Sequence, residues 1–416
     1  MNSNWHNAAQ WNDGQTSGLT LLDYKELRAL YAQPGANFGY NIYDLPSIAP
    51  FPERSVFRHS THRLDEATRA GDTILDEIYA TEGRSAALTF AREDALNPPE
   101  WIDLDRVHRG QRLGRRYFSC LAITLVNLSL IGGFGASKIN RVLVRGSRLS
   151  KSSAGRGYDP LPRLVETASW LLDALRSVEF GSRGFEETVK VRALHSMIRS
   201  HLLDMSWDSD TLDYPINQEQ MLSTLMGFSY NGVWGLRRMG IRVTEHEAED
   251  YIHLWAYIGH MLGIDADFLP RSFEDARATT IQLVPRILAP DDETRKIIRN
   301  LHERRLSRLG LPHSVQSAMC RFFLPHPYAD ELGLRGNLLV DAGVGLLYRG
   351  VGRTVSTVGR FRPHALEQWE IQRVSQRLET VLATLREKSV EDTRPKSPVR
   401  RRIGMLRELS RAIISV

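Results

Sequence analysis

Cysteine is nearly missing from this chain. Cys120 and Cys320 are the two in 416 residues, too few for a disulfide framework or a four-cysteine zinc site. Two buried thiols in a reducing compartment is the plain reading, and whether the pair is bridged stays open. The N-terminus, Met1-Asn2-Ser3-Asn4-Trp5-His6, lacks the basic start and apolar run of a signal peptide, which predicts an intracellular, cytoplasmic protein. Alternation at strand period is scarce, so a β fold is not indicated. The Ser, Gly and basic stretch from Gly146 to Gly157 has no Gly-Lys-Ser or Gly-Lys-Thr ending and reads as a surface loop rather than a phosphate cradle. The run from Asp208 to Pro215 lacks the glycine and terminal glutamate of a calcium loop, leaving a turn that caps the next helix. Neither sign of charge dominates: 54 basic residues face 49 acidic ones, for a net charge of +5. That is a weak lean toward anionic partners, and nucleic acid is not implied.

What the chain does have is helical periodicity. A length of 416 residues fits two or three average domains, but 42 % apolar content with scattered Pro and Gly fits one large helical body with extensions equally well. Leu64, Ala67, Ile74, Leu75, Ile78 and Tyr79 share the face of an amphipathic helix over 64–80, and a short helix follows over 86–95. Asn97-Pro98-Pro99 then breaks the chain. Further helices are predicted over 245–262, 274–284, where Pro285 stops it, and 292–306. The apolar run 117–136 is about a bilayer span in length. Asn127, its hydroxyls and Gly132, Gly133 and Gly135 favour instead a helix buried in a helical protein.

The two ends differ from the middle. Residues 1–50, rich in Asn, Gly, Pro and aromatics, read as a loose arm. A polar helix over 367–388 leads through a linker to a basic segment in which Ile403, Leu406, Leu409 and Ile413 share one face among arginines. Such a helix suits peripheral contact with an anionic membrane, a partner protein, or the body of the chain itself. Three regions result: 1–99, an arm with short helices; 100–330, the core; and 331–416, a C-terminal helical extension with a basic tail.

The densest chemistry lies between Val189 and Arg199. Arg192, His195 and Arg199 fall at i, i+3 and i+7 on one helix, with Val191, Leu194 and Ile198 beside them. A neutral imidazole between two fixed cations suits an iron porphyrin, with the histidine as axial ligand and the arginines on the propionates. The alternative is a histidine packed in the core and two solvated arginines.

Several weak motifs then arrive in a familiar order. Trp101 to Arg112, Arg163-Leu164-Val165-Glu166-Thr167, the His195 helix, Asn217 to Phe228, Gly235 to Ile241, and His253 to Asp265 together resemble the rubber oxygenase (latex clearing protein) and MpaB-type oxygenase family, over roughly residues 100–330. With the periodicity, the resemblance implies an all-α, globin-like helical bundle with N- and C-terminal helical extensions. It implies haem b with His195 as the proximal iron ligand, and dioxygen as co-substrate. It also implies oxidative cleavage of a carbon-carbon double bond in a small hydrophobic, isoprenoid-like molecule. His253 and His260, seven apart on one helix, compete for the ligand role, though a histidine bonded to backbone is the commoner use. His201 falls on a different face from His195.

On the other side of the haem the family places an arginine and a threonine spaced like Arg163 and Thr167, which at i and i+4 would share a cavity. Some relatives carry a lysine just before that threonine, where this chain has Glu166, and an upstream glutamate base, where Val144 to Arg148 holds no acid. Lysine-gated closure is therefore not expected. Glu166 is the candidate base, with an exposed salt bridge as its other role. Met197, Met221, Met226, Phe228, Trp234 and Phe180 offer apolar walls or ordinary packing. A haem sensor or carrier, and a cofactor-free helical interaction protein, are the other classes consistent with these residues. The oligomeric state is not legible.

Overall fold

The computed structural model describes residues 59–147, 161–301, 311–359 and five positions between 372 and 380. Every regular element among them is helical. The arm over 1–50, most of the loop between Gly146 and Gly157, most of the 367–388 helix and the basic tail lie outside the described residues.

Local signals set the helix starts. Asp103 caps α4 (Leu104–Arg116), its carboxylate accepting from Asp105 N at 2.8 Å. Ser182 caps α9 (Arg183–Asp204), and Asn217 caps α11 (Gln218–Phe228). Thr244 and Glu247 close a reciprocal capping box on α13 (Glu245–Met261). Asp208 accepts from Thr211 N at the start of the one-turn α10 (Ser209–Leu212), the capping role its sequence suggests.

α13 is the axis of the bundle, with every residue from Asp250 to Gly259 buried. α4 lies along it at close range. A Cβ on Gly110 would come within 2.4 Å of the Asp250 carbonyl, so the approach requires glycine. The buried Asp250 carboxylate accepts from Arg106 Nε at 3.2 Å and Arg109 Nε at 2.6 Å, both on α4. At the α4 N-terminus Asp103 N donates to Nε2 of the buried His253 at 2.8 Å.

The apolar run becomes α5 (Phe118–Thr124), a π-helical segment (Leu125–Leu130) and α6 (Ile131–Gly133), all packed into the core. The π turn frees carbonyls, and Asn127 Nδ2 takes the Ile123 carbonyl at 2.8 Å while its oxygen accepts from the Cys320 thiol at 3.3 Å. Ser129 Oγ donates to Gly227 O at 2.6 Å. These polar groups, which weakened a membrane reading, thus find partners inside the protein. Among the described residues no single helix is long and apolar enough to cross a membrane.

Three expected boundaries move. The 64–80 helix is two, α1 (Thr61–Ala67) and α2 (Thr73–Glu82), because Asp72 leaves the helix to cap α2; α3 (Arg84–Ala95) follows. The 274–284 helix, α14 (Phe273–Ile287), runs past Pro285 and ends at Leu288, whose N–H reaches Val284 O. Proline forbids only its own upstream bond, so a last turn survives where the residue is buried. α15 is described over Asp292–Leu301. Remaining elements are α7 (Ser137–Ser147), α8 (Leu161–Arg176), α12 (Tyr230–Arg238), α16 (His313–Arg321), α17 (His326–Glu331) and α18 (Leu338–Gly359), the last with no counterpart among the predicted helices.

Burial, with Arg106 nearby, pushes the His253 pKa down to about 4, from an unfolded value near 6.5. Below pH about 6.5 the unfolded chain takes up a proton that the folded protein refuses, so this contribution to stability is complete above that pH and is lost as the pH falls toward 4. His253→Gln should flatten the pH dependence of the urea midpoint across that window. A slope equal to that of the unsubstituted protein would show that His253 is not its source.

Candidate functional site

α8 and α9 form a hairpin joined by residues 177–182. Ser182 Oγ donates to Ser177 O at 3.0 Å in the connection. Trp170 Nε1 on α8 donates to Thr188 Oγ1 on α9 at 2.9 Å. In an antiparallel pair pinned there, seven residues back along α8 and seven forward along α9 bring Arg163 and His195 to about the same level. His195 is half-buried, with its Nδ1 edge turned inward. Leu194 packs with the small apolar cluster of Val142, Ile198, Leu202 and Trp207, so the aliphatic flank predicted for His195 is present. Trp170 also meets Phe228 edge-on at 5.7 Å, and Phe228 stacks on Trp255 at 4.9 Å. An aromatic wall from α8, α11 and α13 therefore stands behind the hairpin.

Arg192 and Arg199, about 40 to 60° round α9 from His195 by helical spacing, meet carboxylates instead. Arg192 Nε reaches Asp72 Oδ2 at 2.6 Å and its Nη1 reaches Asp94 Oδ2 at 2.6 Å. Arg199, 1 % exposed, donates through Nε and Nη2 to Asp76 at 2.7 Å and through Nη1 to the Ile216 carbonyl at 3.3 Å. Ser196 Oγ donates to the same Asp76 at 2.6 Å. Burial opposes the charge on Arg192, but Asp72 and Asp94 overcome it and hold its pKa above the ordinary value. Gly71 lets this happen, since a Cβ there would lie 2.6 Å from the Arg199 side chain.

A sequence model of the family described as "ER-bound oxygenase mpaB/B'/Rubber oxygenase, catalytic domain" matches residues 116–357. The chain belongs to this oxygenase family. It is 27 % identical over 252 residues to the rubber oxygenase of Streptomyces sp. (strain K30), which spans 58 % of this chain and 59 % of that protein. The chain thus matches about three-fifths of its relative's length. A solved structure of latex clearing protein LCP in the closed state superposes with a TM-score of 0.55 at 19 % identity, over 76 % of this chain and 89 % of that one. That likeness establishes the all-helical fold.

Within this oxygenase domain the sequence expectations divide. His195 sits on α9 with an apolar flank. Arg163 lies in the first turn of α8 and its side chain is outside the described residues; Glu166 and Thr167 are exposed on the same helix, so no shared enclosed cavity is seen for Thr167. His253 accepts from Asp103 N, and His260 Nε2 lies 3.1 Å from Asp94 O, its pKa lowered by burial. Both competitors are committed to backbone. Of the six candidate wall residues, Met221, Met226 and Trp234 are core, Phe180 is 65 % exposed, and Met197 and Phe228 are half-buried. Among the described residues no three His, Cys, Asp or Glu side chains gather as a metal centre.

The arginines are the correction. They are neither solvated nor free for propionates, because three carboxylates already answer two guanidinium groups and a further anion would add to an excess of negative charge. Asp72, Asp76 and Asp94 were missed because they precede both the matched segment and the predicted core. The available signal was three acids at the ends and first turn of short helices, facing two arginines on an apolar stretch.

Breaking this brace should be expensive. Asp76→Ala leaves a buried guanidinium unpaired and should cost about 3–5 kcal/mol in urea unfolding. A loss below about 1 kcal/mol, the worth of a surface pair, would return Arg199 to the role of an anion ligand.

Proposed function

We propose that this chain is a haem-b oxygenase that uses His195 as the axial iron ligand and dioxygen to cleave a carbon-carbon double bond in a hydrophobic, isoprenoid-like substrate. The observation that carries the reading is the position of His195 inside the matched oxygenase domain, half-buried on a braced helix, while His253 and His260 are engaged with backbone. The residues fit haem on the ligand side: one imidazole, aliphatic neighbours, and an aromatic wall. They do not supply propionate partners at Arg192 and Arg199, so Arg163, level with His195, takes that part. When bound, the haem would supply the iron at which dioxygen meets the alkene.

The chain's own residues do the rest. The ion-pair brace keeps α9, and with it the imidazole, from shifting. Glu166, exposed on α8, is the base in this reading. Apolar walls hold the substrate by burial, at about 25 cal/mol per Å² of apolar surface removed from water. The reaction balances without an external reductant: the double bond is lost and each of its carbons takes one oxygen atom from a single dioxygen molecule.

The test is incubation of the purified protein with squalene under isotope-labelled dioxygen, with carbonyl products read by mass spectrometry. Labelled aldehyde or ketone fragments are expected, absent with His195→Ala and formed on the order of 10²-fold more slowly with Glu166→Gln. Haem-loaded protein that yields no carbonyl from this or a shorter isoprenoid would favour a haem carrier or sensor instead.

A further inference from the structure

α18 is held to the body by one face and leaves the other uncovered. Tyr348 packs edge-on against Phe322 at 5.2 Å, and Ser356 Oγ accepts from Arg242 N at 2.9 Å. Gly352 lies so close to α12 that a Cβ would come within 2.0 Å of the Met239 carbonyl. The helix is therefore fixed in place. On its outer side Leu338 is 84 % exposed, Leu339 86 % and Leu346 72 %, with Leu347, Val351 and Val358 also exposed. Gly343 and Gly350, between them on that face, have open space where a side chain would be. Isolated exposed leucines are ordinary, but a continuous stripe of this size marks an interaction surface.

The charges on this face are of one sign. The exposed charged residues from Gly333 to Val358 are Arg335, Arg349 and Arg353; the acid of the helix, Asp341, is turned inward to Arg321 Nε at 3.1 Å. We infer that the outer face of α18 is a membrane-docking surface, its leucines entering the acyl boundary of an anionic bilayer and its arginines meeting lipid phosphates and carboxylates. An apolar stripe edged by arginine is the pattern of helices that lie in a lipid interface. The same face of a second copy has no exposed carboxylate between Gly333 and Val358 to meet Arg349 and Arg353. The chain's own basic tail is a poor cover as well, because Arg400, Arg401, Arg402, Arg407 and Arg411 carry the same sign as the α18 face. Tail and helix would instead be drawn to one anionic surface. The protein lies on the membrane in this reading, since no described helix is long and apolar enough to cross it. The inference does not depend on the haem assignment.

The test is vesicle flotation of the full chain, with phosphatidylcholine alone and with phosphatidylcholine and phosphatidylserine mixed two to one. Binding to the mixed vesicles is expected. It should fall at least about tenfold in a Leu338→Gln, Leu339→Gln, Leu346→Gln protein, whose circular dichroism and melting temperature should match the parent because all three side chains are exposed. Arg349→Gln with Arg353→Gln should erase the preference for phosphatidylserine and its sensitivity to salt. Binding that survives the triple leucine substitution would overturn the proposal. So would a concentration-dependent dimer abolished by those substitutions, which would assign the face to a second copy.

Discussion

The burial of two arginines on α9 is the constraint around which this bundle is arranged. A guanidinium taken out of water costs several kcal/mol, and removing one partner of a buried pair costs more than the pair contributes. α9 can present Arg192 and Arg199 to the interior only if carboxylates meet them there. α1–α3 exist in part to bring them: Gly71 makes room, Asp72 ends one helix and starts the next, Asp76 follows one turn on, and Asp94 closes from α3. His260 then touches the Asp94 carbonyl, so α13 is tied to the same node. Helices that precede the matched oxygenase segment thereby fix the orientation of its central helix. A histidine on such a helix has little freedom, which is what an axial ligand needs.

Much of this was legible in the sequence. Helical periodicity and the ordered motifs indicated an all-α bundle, and the hydroxyls, Asn127 and glycines of the apolar run pointed to a core helix. What was not legible was which side of the α9 stripe faced what. Arg192, His195 and Arg199 lie close together on a helical wheel, and a rotation of some tens of degrees separates a porphyrin edge from a carboxylate cluster. Periodicity does not resolve that difference; only the distant acids do, and they sit about 100 residues upstream in the chain. The α1–α2 break was hidden because apolar spacing continues across it while the cap at Asp72 interrupts the backbone. α18 escaped prediction because its apolar residues occupy both faces, leaving no single stripe to read.

The same geometry separates the histidines. His253 and His260 are on the axial helix α13, and Nε2 of each is engaged with backbone. His195 stands where α8 and α9 run side by side, level with Arg163 and about two helical turns along α9 from the level of Trp170. One bundle thus uses two imidazoles as structural clasps and presents the third toward the place where the oxygenase chemistry is proposed.

The most direct measurement is the visible absorption spectrum of the purified protein, as isolated and after dithionite, with a pyridine haemochrome assay on the same sample and on His195→Ala and His253→Gln proteins. The account predicts a Soret band with one haem b per chain, lost in His195→Ala and retained in His253→Gln. A colourless protein that also refuses added haem, or a Soret band unchanged by His195→Ala, would contradict it.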